Sequence, residues 1–375
     1  MHIIRASPCT GHATLSLIDE TLRSCLTNIA NVMVTDTQWT QATLPVKSGG
    51  LGIRSPLTLA LPAFLASVVS TQPLQDQLLH RCSDAIDFHY DTLRTLWSTM
   101  IQPSLPPSGV TACKQHAWDS PLVDASFASV LASQVDDHNR ARLLAASAPH
   151  SGDWLNALPL SSCGLRLDDN AVRVAVGLRL GSTLCSQHVC PCGVSVDCRG
   201  THGLSCKMSA GRTARHAYLN DIVHRALVRA GISAVKEPTG MFRSDGKRPD
   251  GVTLVPWLAG RTVVWDVTVI DTLASSYLPS TSITPGSAAE IAAARKEDKY
   301  VELATTHTFV PIALETMGPI SAKSLSFLRE LGRRLIVATD NAQESAYLYQ
   351  RLSVAIQRFN AVCVVGTTFG DTVVE

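Results

Sequence analysis

Cys190, Cys192, His202 and Cys206 put three thiols and an imidazole within 17 positions, a donor set suited to a borderline cation such as Zn²⁺. One residue separates the first two cysteines, nine precede His202 and three precede Cys206, close to the intervals of compact Cys₃His zinc sites. Almost nothing apolar lies between Gly193 and Gly203 to hold a loop by burial, so a metal staple is the expected substitute. Four protein ligands fill a tetrahedral shell, which makes the expected ion structural. Cys198 lies inside the loop and could replace one ligand, Cys185 just precedes it, and unligated surface thiols are the alternative reading.

Hard donors come next along the chain. Asp250 sits in Lys247-Arg248-Pro249-Asp250-Gly251, and Asp266 stands in the apolar run Val263–Ile270. On adjacent strands the two carboxylates would converge. Hydrolysis of a phosphodiester at neutral pH needs a divalent cation to acidify the attacking water and offset phosphate charge, and a hard cation such as Mg²⁺ needs oxygen ligands. An unpaired carboxylate inside an apolar strand is costly, so a metal or a cationic partner is the natural compensation for Asp266. Against this, Pro-Asp-Gly is also a common turn, and Asp266 could face water at a strand edge. Lys296 and Lys299, three apart on a predicted helix, share a face. Either could steady charge on a reacting phosphate, although such a pair is usually a solvated stripe.

These residues need a scaffold, and the pattern predicts one. Gly211–Gly231 reads as an amphipathic helix. Ile232–Val235, Asp250–Val255 and Thr262–Ile270 read as strands, Ser287–Thr305 as a helix and Thr308–Leu314 as a strand. Ala322–Val337 and Ala342–Asn360 read as closing helices, with Val362–Thr367 a candidate final strand. The order from 212 to 314 is therefore α-β-β-β-α-β. From Leu15 to about Leu180 the pattern is helical, punctuated at Ser48–Gly52, Pro103–Gly109 and Pro159–Gly164. The change of register near Cys190 predicts an all-α region over 1–188, a zinc knuckle over 189–210 and an α/β (α+β) domain over 211–370.

A net charge of +1 over 375 residues hides an uneven distribution. Residues 1–189 carry 12 Lys and Arg against 14 Asp and Glu, whereas residues 199–261 carry 11 against 4. That local excess lies between the cysteines and the carboxylates, where a polyanion would dock; a solvated face of unrelated charges is the alternative. The apolar run Leu57–Ser70 is shorter than the roughly 20 residues a spanning helix needs and is interrupted by Pro62, so no membrane segment is expected. The N-terminus has no export signal, which predicts an intracellular chain whose 11 cysteines are thiols or metal ligands.

Taken in order, Cys190-Pro-Cys192, His202, Cys206, Arg215-His216, Arg248-Pro-Asp250, Trp265-Asp266-Val-Thr268 and Lys296-x-x-Lys299-Tyr300 resemble the C-terminal zinc knuckle and restriction-enzyme-like endonuclease of non-LTR retrotransposon polyproteins. The resemblance implies a PD-(D/E)XK core that nicks target DNA to prime reverse transcription, with Asp250 and Asp266 as Mg²⁺ ligands and the lysine function on Lys296 or Lys299. The usual lysine two residues beyond the second acid is replaced here by Thr268. Arg215, His216 and Arg248 become candidate DNA contacts, and an exposed helix face is the alternative for the first two. The resemblance further implies a nuclear location, with DNA and retroelement RNA as partners.

Gln41–Arg54 more loosely resembles the segment leaving the reverse transcriptase palm of the same polyproteins. Polymerase activity is not expected. Its metal site needs an aromatic residue two positions before Asp-Asp, and Asp136-Asp137 and Asp168-Asp169 carry Gln134 and Arg166 there. The sequence thus reads as an endonuclease fragment of a retroelement, the alternatives being an inactive zinc-containing nucleic-acid-binding module or a structural remnant.

Overall fold

A computed structural model describes residues 2–79, 88–101, 105–241 and 248–368; Lys247 and the first two residues of the Pro103–Gly109 punctuation lie outside them. The chain forms two compact units, Met1–Ser133 and Gln134–Glu375. The division therefore falls well before the boundary expected at 188.

Helices build the first unit. These are α1 (His2–Ala6), α2 (Ala13–Ala30), α3 (Asp36–Thr43), α4 (Pro56–Leu79), α5 (Phe88–Met100) and α6 (Gln115–Ala132). Thr35 opens α3 with a capping box: its hydroxyl accepts from the Gln38 N–H, while the Gln38 side chain accepts from the Thr35 N–H. Trp97 and Trp118 meet edge to face at 5.4 Å beside Leu61 and Leu65, and both indole N–H groups donate to carbonyls. Contrary to the sequence expectation, α4 runs through both Pro62 and Pro73. Its Pro56–Leu78 stretch is long and apolar enough to cross a membrane by length and composition alone. Leu59–Ala66 of this helix is nonetheless buried within the unit.

The second unit is mixed α/β. It begins with α7 (Asp137–Ser147) and α8 (Asp169–Leu180), continues through the hairpin strands β1 (His188–Val189) and β2 (Ser195–Val196), and enters α9 (Ala210–Arg229). Then come β3 (Ala234–Lys236), β4 (Gly251–Thr253), β5 (Val263–Ile270), α10 (Leu278–Thr281), α11 (Ser287–Lys299), β6 (Thr308–Glu315), α12 (Ala322–Thr339) and α13 (Glu344–Val365). The predicted order survives, with the short α10 added. The candidate strand over 362–367 does not, because α13 runs on to Val365 against α9 and α8.

Four strands form one sheet in the order β3-β4-β5-β6, antiparallel except for the parallel pair β5 and β6. A parallel pair needs a crossover, and α10 with α11 supplies it. Alternation along β5 decides what each face meets. Val263, Trp265 and Val267 enter the core with α9, α12 and α13, together with Val310, Ile312 and Leu314 of β6. Ile270 and Ala313 turn the other way, onto Ala288, Ala289, Ala292 and Ala293 of α11. Asp266 shares that second face, so the small alanine stripe brings α11 close and its next turn delivers a lysine to the carboxylate.

Candidate metal centres and an adjoining basic cleft

The β1–β2 hairpin presents Cys190 and Cys192 at its turn. Cys190 N–H donates to Val194 O at 2.9 Å, and Gly193 N–H returns to Cys190 O at 2.8 Å with Gly193 at φ +86°, a conformation glycine adopts without strain. A short 3₁₀ turn, Thr201–Leu204, carries His202, and Cys206 N–H donates to His202 O at 3.0 Å. These turns bring one donor atom from each of Cys190, Cys192, His202 and Cys206 within 4.8 Å of one another. Cys190 Sγ and Cys206 Sγ are 3.7 Å apart, and Cys192 Sγ is 3.2 Å from His202 Nε2. The first distance is far beyond a disulfide and near the roughly 3.8 Å edge of a tetrahedron with 2.3 Å Zn–S bonds. The donor set thus fits a metal ion such as zinc, and Cys185 and Cys198 lie outside it. The N–H of Val194 lowers the Cys192 thiol to about 6, while burial pushes the Cys190 thiol up to about 11, so Cys192 is the readier thiolate of the pair.

A second cluster joins His216, Asp250 and Asp266, again with donor atoms within 4.8 Å. Its origin is the strand register. Gly251 pairs with Trp265 and Val252 with Val264, so continuing the ladder by one residue sets Asp250 opposite Asp266. Residues directly opposite in a sheet have Cβ atoms about 5 Å apart. Gly251 is required at this crossing, because a Cβ there would lie 2.0 Å from the Trp265 ring. Two like charges so placed repel, and each is answered. Asp250 Oδ2 accepts from Val267 N–H at 2.6 Å and from His216 Nε2 at 3.0 Å. Lys296 Nζ donates to Asp266 Oδ1 at 2.8 Å.

These partners set the electrostatics. Nε2 of His216 also lies 3.0 Å from Val267 O, so it faces two acceptors and carries the hydrogen. The bond to Asp250 raises the His216 pKa above its ordinary value, against a smaller opposing effect of burial. Burial pushes the Asp250 carboxyl up, but the His216 and Val267 hydrogen bonds outweigh it and hold it below the usual range. For Asp266 burial wins, and its pKa rises despite Lys296. The two neighbouring carboxyls are thus shifted in opposite directions, as expected when like charges share a site.

Of the two candidate lysines, Lys296 meets the cluster. Lys299 turns to Tyr300, its Nζ 3.3 Å from the hydroxyl. His216 is drawn to Asp250 and forms part of the cluster. Arg215 is a correction: only 1% exposed, it donates to Asn360 Oδ1 at 2.8 Å and reaches Leu204 O, so its guanidinium is engaged in fastening the knuckle to α13 rather than exposed as a DNA contact. Arg248 pairs with Glu237, and its carbonyl accepts from Tyr300 OH at 3.0 Å.

Asn220 was not singled out from sequence. Buried on α9, it accepts from Trp265 Nε1 at 2.8 Å and donates to Asp250 O at 3.3 Å, tying both strands to the helix. The available signal was its spacing of four from His216, which places both on one face of α9.

Beside this cluster an open cleft of about 520 Å³ is bounded by Lys207, Arg212, Thr213, His216, Thr268 and Lys296, among others. No Asp or Glu is among its described lining residues. No known protein family and no curated protein matches the chain.

Proposed function

We propose that the second unit is a Mg²⁺-dependent DNA endonuclease of the PD-(D/E)XK type, an intracellular, nuclear protein that nicks duplex DNA. The observation that supports it is the convergence of Asp250, Asp266 and Lys296 beside a cleft that His216 and Lys296 line and whose described lining is cationic. Asp250 and Asp266 supply the oxygen donors a hard cation takes. When bound, such a cation would lower the pKa of an attacking water and neutralise charge on the phosphate.

The chain's own residues do the rest. His216 and Val267 N–H hold Asp250 ionised and fix its orientation. Lys296, half-buried against Asp266, presents a cation where negative charge grows on the phosphoryl oxygens. Trp265 and Asn220 keep the two strands in the register that opposes the carboxylates. The basic cleft gathers the DNA backbone without a repulsive side chain in its path.

A second reading has its own support. Lys296 already answers Asp266 and His216 already answers Asp250, so the cluster is charge-matched without a cation. This favours a zinc-containing module that binds nucleic acid, DNA or retroelement RNA, and cleaves nothing. Incubation of the full chain with supercoiled plasmid separates the two. The endonuclease reading expects relaxed circles with Mg²⁺ and none after EDTA; retained binding with no nicking at any Mg²⁺ concentration selects the module.

A further inference from the structure

The cleft is also lined by residues at the end of the metal-binding turn that the chemistry does not use. Lys207 directly follows the ligand Cys206, and both Lys207 and Arg212 are exposed. Their positions are not independent of the metal-binding turn. Ser209 N–H donates to Cys206 O at 3.1 Å, and Arg212 N–H donates to Ser209 O at 3.2 Å. The Arg212 guanidinium donates to Ser205 O at 3.1 Å, the residue just before Cys206. Thus the turn that supplies the fourth thiol also holds the Arg212 guanidinium, and Lys207 leaves the chain directly after that thiol. One α-helical turn farther along α9, His216 reaches Asp250. A single continuous segment, 205–216, therefore joins the metal-binding turn, two cations and the carboxylate cluster.

We infer that Lys207 and Arg212 form a phosphate-anchoring subsite, which holds DNA backbone phosphates beside the one at Asp250 and Asp266 and reads no sequence. The inference rests on the endonuclease reading for its substrate. Two observations carry it: the shared cleft, with no acidic residue among its described lining, and the attachment of both cations to the turn that bears Cys206. Thr213 and Thr268, which also line the cleft, offer hydroxyls to phosphate oxygens, and backbone contacts of this kind fix register while base contacts specify.

Counterion release gives the measurement. Each phosphate neutralised contributes about 0.9 to the slope of log affinity against log salt on duplex DNA. The full chain is titrated with a short duplex in Ca²⁺ across a salt series, beside Lys207→Gln/Arg212→Gln and, as a control outside the cleft, Arg333→Ala. The double variant is expected to lose about 1.8 from the slope and roughly 10- to 100-fold in affinity at 0.1 M salt, equally for unrelated sequences. Each single variant loses about half the slope change, and Arg333→Ala keeps the wild-type slope.

Lys207 and Arg212 are exposed, so melting temperature and bound zinc should stay at wild-type levels. If the double variant does not fold, the single variants carry the test. An unchanged slope in folded variants overturns the subsite. A reduced slope in a chain that never nicks plasmid leaves the subsite standing and removes the endonuclease reading. Nicking with an unchanged slope does the reverse.

Discussion

Asp250 and Asp266 meet because one antiparallel register places them opposite each other, and the residues around them divide the resulting charge unequally. The lysine makes this concrete. Lys296 and Lys299 are equivalent in sequence, three apart on one helical face, yet only Lys296 touches Asp266. Replacing it leaves that carboxylate buried without its cation and removes positive charge from the reacting phosphate. Lys296→Ala is expected to slow nicking about 10²- to 10³-fold, the usual effect of losing one such group. Lys299→Ala should stay near the wild-type rate. Single-turnover nicking measures both, and equal losses would remove the distinction. Which lysine matters could not be read from spacing, because it depends on how α11 lies against the sheet. The Cys/His metal-site donors were legible, since their chemistry and intervals are local. Arg215 was misread for the same reason in reverse: its burial against Asn360 depends on a residue 145 positions away.

Among the elements, α11 shows how the fold holds the lysine in place. Its first turn is fastened to the end of β6 by Glu315, which accepts from Ala289 N–H at 3.1 Å. Glu315 is fully buried, and burial raises its carboxyl from 4.5 to about 7. The native state therefore keeps a proton that the unfolded chain releases, so stability falls as pH rises from about 4.5 to about 7 and levels off above that. Glu315→Gln removes this dependence. Between pH 5 and 8 the wild type should lose roughly 2–3 kcal/mol relative to the variant, read as a difference in chemical unfolding, and parallel curves would contradict it.

Periodicity gave most of these elements correctly, because strands and helices here bury one face each. It failed over 362–367, where β-branched residues suggested a strand. There the packing of α13 on α9 and α8 overrides a weak preference.

For the molecule as a whole, the sequence placed a boundary at the cysteines and the structure places it after Ser133. Composition changes at Cys190, but α7 and α8 belong with the sheet-bearing unit: α8 packs on α13, and Trp154 N–H donates to Ser353 Oγ at 3.2 Å. Such long-range contacts leave no local signature. The knuckle is thus embedded in the second unit, with Leu204 and Cys206 buried. The purified full chain should carry one zinc per molecule by elemental analysis, and Cys190→Ala should lose it. Chelation should lower the melting temperature of the second unit's transition, since binding energy at such sites is folding energy. A metal-free chain of unchanged stability would contradict the staple.

The central claim is that Asp250 and Asp266 together cleave a phosphodiester. The most direct test is Mg²⁺-dependent plasmid nicking by wild type, Asp250→Ala and Asp266→Asn prepared in parallel, with circular dichroism and bound zinc confirming that each is folded. The account predicts relaxed circles from the wild type and none above background from either folded variant. Equal nicking by all three would contradict it.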